Sequence, residues 1–167
     1  MTNPAAPTTA PSSPVADAPH FRRILFPTDF SPTADRAFAF ALRVASRNPG
    51  AVLHLLHVIP EPSAQFWKGY IYDLDEDVDT RAKREIDAKL DAAYRPRIPP
   101  TLPFVVAMRI GEAARQILEY AAAENPDIIV IGRQGAGSVG KLFFGNVCER
   151  VVRKAPCPVL VVPPEPR

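Results

Sequence analysis

The chain has few of the features that mark secreted, membrane-spanning or nucleic-acid-binding proteins. Only two of its 167 residues are cysteine, far below what a disulfide-stabilised scaffold needs. No apolar run approaches the roughly 18 residues that cross a bilayer. Lys and Arg number 20 against 18 Asp and Glu, without a basic block, so duplex nucleic acid is not implied as a partner. These absences predict a cytoplasmic protein that binds neither membranes nor nucleic acid.

The N-terminal 20 residues have few large apolar side chains. They contain five prolines, which remove backbone donors, and they have neither the basic start nor the apolar segment of a secretory signal. We predict a disordered tail over residues 1–20, one domain over residues 21–163 and a short tail over residues 164–167. The overall composition, 47% hydrophobic and 23% charged, is typical of one globular domain.

From Phe21 onward, apolar runs alternate with amphipathic stretches, which is typical of an α/β domain built on a mostly parallel sheet. Apolar runs that end at turn residues predict five strands, at 23–27, 52–59, 104–108, 127–131 and 159–162. Three- and four-residue spacings predict four helices: one from Pro32 after a Ser31 cap, one through Ala82–Ala93, and two at 112–124 and 147–154. The third helix is predicted to face the core with Ala113, Ile117, Leu118 and Ala121.

Glycine is scarce except in one stretch. Five of the eight glycines lie between the fourth strand and the last helix, at Gly132, Gly135, Gly137, Gly140 and Gly145. A tight turn explains one or two of them but not five. A glycine-rich loop that leads from a parallel strand into a helix N-terminus presents N–H groups and a positive dipole end, which suit phosphate oxygens.

Three phosphate-binding patterns overlap in this loop. Gly135-x-Gly137-x-x-Gly140 matches the dinucleotide fingerprint, but that pattern belongs after an early strand. Gly135-x-x-x-x-Gly140-Lys141 nearly matches a Walker A loop, but Leu142 stands where a Ser or Thr should hold Mg²⁺. The third pattern is Gly132-x-x-Gly135, nine residues, and then Gly145-Asn146.

This third pattern resembles the nucleotide-binding signature of ATP-binding universal stress proteins. The stretch Ile24–Ser31 resembles the first strand and turn of that family, Leu56–Val58 its second strand end, and Cys148–Val162 its closing helix and strand. The resemblance covers Phe21 to Pro163, with every piece in the order of the family.

The resemblance implies a five-stranded parallel sheet of order 3-2-1-4-5 with helices on both faces, and a homodimer formed through the last strand, Val159–Val162. It also implies that the chain binds ATP, with or without Mg²⁺, or a related adenine nucleotide. The residues that it places around the nucleotide are Pro27, Asp29, Val58, Ile131, Gly132, Gly135, Gly145, Asn146 and Val147.

Some of these assignments have alternatives. Asn146 stands where the family usually has Ser or Thr, so a hydroxyl donor is missing and we expect weakened or altered phosphate contact. Arg133 and Lys141 are candidates for further phosphate contacts, with solvated loop charges as the alternative. Asp29 is either a ligand residue or an ordinary turn carboxylate that caps the first helix.

Other polar residues predict neither a metal site nor a catalytic site. Asp73, Asp75, Asp77 and Asp79 alternate as in an EF-hand, but Val78 and Arg84 occupy the positions of its essential Gly and Glu. His54 and His57 are three apart on one strand and therefore point to opposite faces. Cys148 and Cys157 have no His–acid partner pattern and are predicted to be small buried thiols.

The sequence therefore favours a nucleotide-dependent stress or signalling module that is not an enzyme, with at most slow hydrolysis. The alternative is a dimeric stress-associated scaffold without nucleotide binding. A nucleoside triphosphatase that uses the near-Walker loop is the third and least supported reading.

Overall fold

A computed structural model describes residues 20–60, 78–134 and 145–165, with only the backbone described over residues 78–83. Its strands are β1 (Arg23–Thr28), β2 (Val52–Ile59), β3 (Phe104–Ile110), β4 (Ile128–Gly132) and β5 (Val159–Val162). Its helices are α1 (Pro32–Ser46), α2 (Val78–Ala93), α3 (Ala113–Glu124) and α4 (Asn146–Lys154), and a short 3-10 helix spans Arg95–Arg97. The predicted elements are all found. Their bounds differ by at most two residues, except that α2 begins at Val78, four residues before Ala82.

The five strands form one parallel sheet of order β3-β2-β1-β4-β5, which confirms the predicted topology. β1 lies at the centre and pairs with β2 on one side and β4 on the other. Along the chain, β2 and β3 are therefore added in turn on one side of β1, and β4 and β5 on its other side. The topological switch point lies between β1 and β4, where ligands of open α/β sheets commonly bind.

Successive side chains along each strand point to opposite faces of the sheet, so the core has two layers. Ile24 and Phe26 of β1 pack under α1 and α2, whereas Leu25 packs under α3 and α4. The first layer holds the apolar face of α1 as predicted, with Ala34, Ala37, Phe38, Ala41 and Ala45 buried. Helices on both faces of the sheet are thereby confirmed.

The predicted inward face of α3 was partly wrong. Ala114, Gln116, Ile117, Tyr120 and Ala121 are buried, whereas Ala113 and Leu118 are only partly buried. Tyr120 and Gln116 carry polar groups and do not belong to the apolar spacing, but each has a polar partner in the structure. The Tyr120 hydroxyl pairs with His54 Nδ1 at 2.9 Å, and Gln116 Nε2 donates to Glu119 Oε2 at 2.8 Å. A buried polar group that is hydrogen-bonded costs little.

β3 and β5 are the edge strands of the sheet. Three of the four residues of β5 are partly exposed, and only Val162 is buried. Within the described parts of the chain, no helix is long and apolar enough to cross a bilayer.

Candidate functional site

The carboxyl ends of β1, β2 and β4 meet at a cavity of about 430 Å³ at the switch point of the sheet. One wall comes from the end of β1 and the turn after it (Pro27, Thr28, Asp29), and another from β2 (Leu56, Val58). The opposite side is formed by the end of β4 and the start of α4. This volume lies in the range of about 300–1,000 Å³ that is usual for small-molecule sites.

The structure brings the predicted site residues together. Every described member of the set lines this cavity: Pro27, Asp29, Val58, Ile131, Gly132, Gly145, Asn146 and Val147, as does Arg133. Gly135 and Lys141 lie outside the described residues. Because no ligand contact is tested by this arrangement, the roles of these residues stay predictions.

Sequence reasoning missed part of the lining. Ala113 and Ile117 of α3 line the cavity, as do Thr28, Ala34, Leu56, Pro60, Gln134 and Cys148. The periodicity of α3 correctly predicted that Ile117 faces inward. Periodicity cannot show that the first turns of this helix lie next to the carboxyl ends of the strands, where the cavity is. Thr28 could have been found, because it immediately precedes Asp29 at the end of a predicted strand.

The turn after β1 is held by its own polar groups. Asp29 Oδ1 accepts a hydrogen bond from the Ser31 N–H at 3.0 Å, and Ser31 Oγ accepts one from the Ala34 N–H at 3.2 Å. Ser31 is the N-cap of α1, as predicted. Asp29 therefore supports the capping residue rather than capping the helix itself, and its exposed carboxylate also lines the cavity.

The N-terminus of α4 is built differently. Gly145 is the N-cap, in an extended conformation, and among the described residues no side chain caps the helix. The Gly145 N–H donates to the Arg133 carbonyl at 2.8 Å. The first-turn residues Asn146, Val147 and Cys148 all line the cavity. Asn146 is thus the first helical residue and not the cap.

α3 also begins beside the cavity, but a carboxylate already occupies its N-terminus. Glu112 accepts hydrogen bonds from the Ala114 and Arg115 N–H groups, both at 3.1 Å, and pairs with Arg150 at 3.0 Å. α1 is capped by Ser31 in the same way. Of the three helices that begin at this cavity, α4 is therefore the one whose first turn is open to a ligand within the described residues.

Gly132 has a packing role inside the protein. A Cβ at this position would lie 3.0 Å from Thr33 Cγ2 and 3.2 Å from the Thr33 carbonyl carbon. The end of β4 therefore passes directly against the first turn of α1. The absence of a side chain at Gly132 is explained by this contact, whether or not a ligand also approaches its backbone.

The thiol of Cys148 lines the cavity and is buried. Cys148 is 2% exposed, and burial raises the pKa of its thiol to about 11, against a smaller lowering by the charge of Arg133. Burial also raises the pKa of Cys157, which is only partly buried and so departs from the prediction of a buried thiol. The thiolate needed for nucleophilic chemistry is disfavoured at both positions.

The two histidines lie on opposite faces of β2, as predicted, and neither lines the cavity. His54 pairs with Tyr120, and His57 Nδ1 donates to the Thr28 carbonyl at 2.8 Å. Burial is the main cause that lowers the pKa of each. Among the described residues, no group of three or more His, Cys, Asp or Glu side chains could hold a metal ion. The side chains of Asp73, Asp75, Asp77 and Asp79 lie outside the described part of the chain.

Comparison with known proteins identifies the family. The Universal stress protein family model matches residues 20–163. A universal stress protein of Thermus aquaticus, encoded in the QAH/OAS sulfhydrylase 3' region, is 34% identical over 142 residues, which cover 85% of this chain and 98% of that protein. This chain belongs to the universal stress protein family.

Solved structures share the fold. UspA from Lactobacillus plantarum matches with a TM-score of 0.70 and 25% identity over 87% of this chain and 99% of that chain. A family member from Arabidopsis thaliana, solved with AMP bound, matches with a TM-score of 0.55 and 19% identity over 86% of this chain and 92% of that chain. At that identity the Arabidopsis structure shows the fold alone.

Proposed function

We propose that this universal stress protein binds an adenine nucleotide, with ATP as the first candidate, in the cavity between β1 and β4. The observation that carries the proposal is the open first turn of α4 at one end of a largely apolar cavity at the switch point. Apolar walls suit a purine base, and an uncapped helix N-terminus suits phosphate. The Arabidopsis protein of the same fold, solved with AMP bound, supports the choice of an adenine nucleotide.

The residues present fit such a ligand in two parts. Pro27, Leu56, Val58, Ile117 and Ile131 supply the apolar surface, and the N–H groups of Asn146, Val147 and Cys148 supply donors at the positive end of the α4 dipole. The Asn146 side chain adds an NH₂ donor in place of the hydroxyl that the family usually has. Arg133 lies on the same wall and adds a positive charge there.

Binding, rather than turnover, is the role that this arrangement favours. The cavity thiol has a raised pKa, and both histidines lie away from the cavity. Neither the cavity thiol as a nucleophile nor a histidine as a base is therefore favoured, and we expect at most slow hydrolysis. We propose a nucleotide-dependent stress or signalling module in the cytoplasm.

A calorimetric titration of nucleotide-free protein tests the proposal. ATP, with and without Mg²⁺, should bind near one molecule per chain, and AMP and then adenosine should bind progressively more weakly, because each loses phosphate contact with α4. An absence of heat at millimolar ATP in folded, empty protein would remove the nucleotide from the function. The dimeric scaffold would then become the leading function.

The edge strand β5 supports the scaffold and the dimer. Val159, Leu160 and Val161 are partly exposed on an unpaired strand edge, and Val152 of α4 is 44% exposed. Exposed apolar edges of this kind are commonly covered by a partner strand. We propose a homodimer through Val159–Val162, so sedimentation equilibrium should give twice the chain mass, and Val161→Lys should give the monomer mass.

A further inference from the structure

The turn that carries Asp29 has an unfavourable backbone conformation. Phe30 has a φ of 60°, in the left-handed region that a bulky side chain rarely adopts. Such a conformation persists only where surrounding contacts fix it, and these positions concentrate at ligand-binding sites. The contacts that fix this turn therefore bear on the cavity.

Both oxygens of Thr28 are held from the side of the sheet that packs against α2. The Thr28 carbonyl accepts a hydrogen bond from His57 Nδ1 at 2.8 Å, so the neutral ring carries its proton on that nitrogen. Thr28 Oγ1 pairs with the Tyr94 hydroxyl at 2.6 Å and accepts from the Phe30 N–H at 3.0 Å. Thr28 is thus fixed by two side chains from other elements just before the strained residue.

The aromatic rings in this region add a second constraint. The Phe30 ring packs between His57, at 4.8 Å between ring centroids, and Tyr94, at 5.9 Å. Tyr94 is 1% exposed, directly after α2, and also contacts Phe38 at 4.5 Å. The position of Phe30 therefore depends on the same two residues that hold Thr28.

Asp29 lies between two cavities. It lines the candidate nucleotide cavity on one side and a groove of about 580 Å³ on the other, which His57, Phe30 and Lys89 also line. Neither His57 nor Tyr94 lines the nucleotide cavity. Both contact Thr28, which does line it.

We propose that Tyr94 and His57 are positioning residues of the nucleotide site, which fix Thr28 and Phe30 and thereby set the place of Asp29 at the cavity. This inference rests on the proposed nucleotide binding. Tyr94 directly follows α2, so this positioning role falls to a residue on the face of the sheet opposite to α3 and α4. By linkage, a bound nucleotide should in turn stabilise the end of α2.

The chain offers a matched control on the opposite face of the sheet. Tyr120 is also buried, at 4% exposed, and its hydroxyl pairs with His54 Nδ1 at 2.9 Å, but neither residue lines the cavity or touches the Asp29 turn. Tyr94→Phe and Tyr120→Phe each remove one buried hydroxyl and keep the ring. A role in stability alone predicts the same result for both variants.

The experiment measures ATP affinity by calorimetry and urea unfolding for wild type and both variants. Tyr94→Phe should weaken ATP binding about three- to tenfold, the factor expected for one lost hydrogen bond. Tyr120→Phe should change it by less than about twofold, within the scatter expected for a site without contact. Both should lower the urea midpoint to a similar extent.

A second pair of variants tests His57. His57→Asn keeps an N–H donor close to the place of Nδ1 and should retain most of the affinity, whereas His57→Leu should lose it about as far as Tyr94→Phe. This rescue separates the hydrogen bond to Thr28 from the volume of the side chain.

The outcomes distinguish this inference from the proposed function. If wild type binds ATP and Tyr94→Phe binds it as tightly as Tyr120→Phe does, the positioning role is wrong and nucleotide binding stands. If folded wild type binds no nucleotide, the proposed function fails and the inference fails with it.

Discussion

Of the three helix N-termini at the cavity, those of α1 and α4 differ most in how their N–H groups are satisfied. α1 begins with Ser31, whose side chain accepts from the Ala34 N–H, and Asp29 in turn accepts from the Ser31 N–H. α4 begins with Gly145, which has no side chain to offer. The chain caps α1 with its own side chain, whereas among the described residues no side chain caps α4.

The difference shows how one cavity acquires a polar and an apolar end. A capped helix presents little unsatisfied N–H, so the α1 side of the cavity suits the less polar part of a ligand. An uncapped helix presents both its dipole and its N–H groups, so the α4 side suits an anion. In the proposed complex, we therefore expect the phosphate groups at the N-terminus of α4.

The largest expected effect concerns the contact that places α1 beside the cavity. Gly132→Ala adds a Cβ at 3.0 Å from Thr33 Cγ2 and should lower the free energy of unfolding by about 1–3 kcal/mol, the usual cost of overpacking. Urea denaturation measures this loss. Thr33→Ser removes the nearest methyl group and should restore part of it in the double variant. A Gly132→Ala protein as stable as wild type would show that the first turn of α1 yields easily.

The next largest effect is expected when the N-terminus of α4 is given a side-chain cap, as the N-terminus of α1 has. Gly145→Asp gives α4 a side-chain cap, which α1 already has in Ser31. The backbone of Gly145, at φ −64° and ψ 145°, accepts any residue. The added carboxylate should satisfy first-turn donors and repel phosphate, so ATP affinity should fall roughly tenfold, while stability changes by only a few tenths of a kcal/mol.

Calorimetry and urea unfolding check both quantities, and Gly145→Asn is the neutral control with a smaller loss of affinity. Unchanged ATP affinity in Gly145→Asp would place the phosphates away from α4.

The converse variant acts on the other terminus. Ser31→Ala removes the cap of α1 and should lower the free energy of unfolding by about 1 kcal/mol, because the Ala34 N–H loses its partner. ATP affinity should stay within about twofold, since the N–H that holds Asp29 is kept. The same two measurements apply. A loss of affinity as large as that of Gly145→Asp would mean that both helix ends bind the ligand.

The smallest expected effect is a loss of stability as the pH falls. It involves His57, which contacts the turn that precedes α1. Burial is the largest influence on the pKa of His57 and lowers it. The hydrogen bond to the Thr28 carbonyl and the charge of Asp29 raise this pKa, and the charge of Lys89 lowers it further. Burial also lowers the pKa of His54, against Glu124. The unfolded chain therefore takes up protons first, and stability is complete above the unfolded pKa of about 6.5 and falls as the pH drops toward the folded values.

Urea unfolding between about pH 7 and pH 5.5, a window chosen to bracket that unfolded value, should show this decline. The decline should be shallower in His57→Asn. Stability that is flat or rising toward pH 5.5 would contradict the burial of these rings.

Much of the fold could be predicted from the sequence because its signals are local. The uninterrupted apolar run of β4 and the alanine stripe of α1 predict a buried strand and a helix that covers it, and β2 was predicted residue for residue at Val52–Ile59. Ser31 and Pro32 predict the start of α1 because capping depends on adjacent residues.

The remaining features depend on contacts between distant residues. Nothing near Gly132 in the sequence indicates that Thr33 lies against it, and nothing near Tyr94 indicates a partner 66 residues away at Thr28. Buried polar residues such as Tyr120 and Gln116 break the apolar periodicity that predicts inward faces. Such partners become visible only when the sheet order brings them together.

The central position of β1 has a consequence for the growing chain on the ribosome. Arg23 at the start of this strand donates its N–H to Asp127, 104 residues further along, and the β4 side of β1 has no partner until that region is made. At about 5–20 residues per second, the nascent strand waits roughly 5–20 s with one edge open. α4 is made later still, so a nucleotide cannot assist the early steps of folding. We therefore expect the β4 edge of β1 to stay exposed over this interval of synthesis.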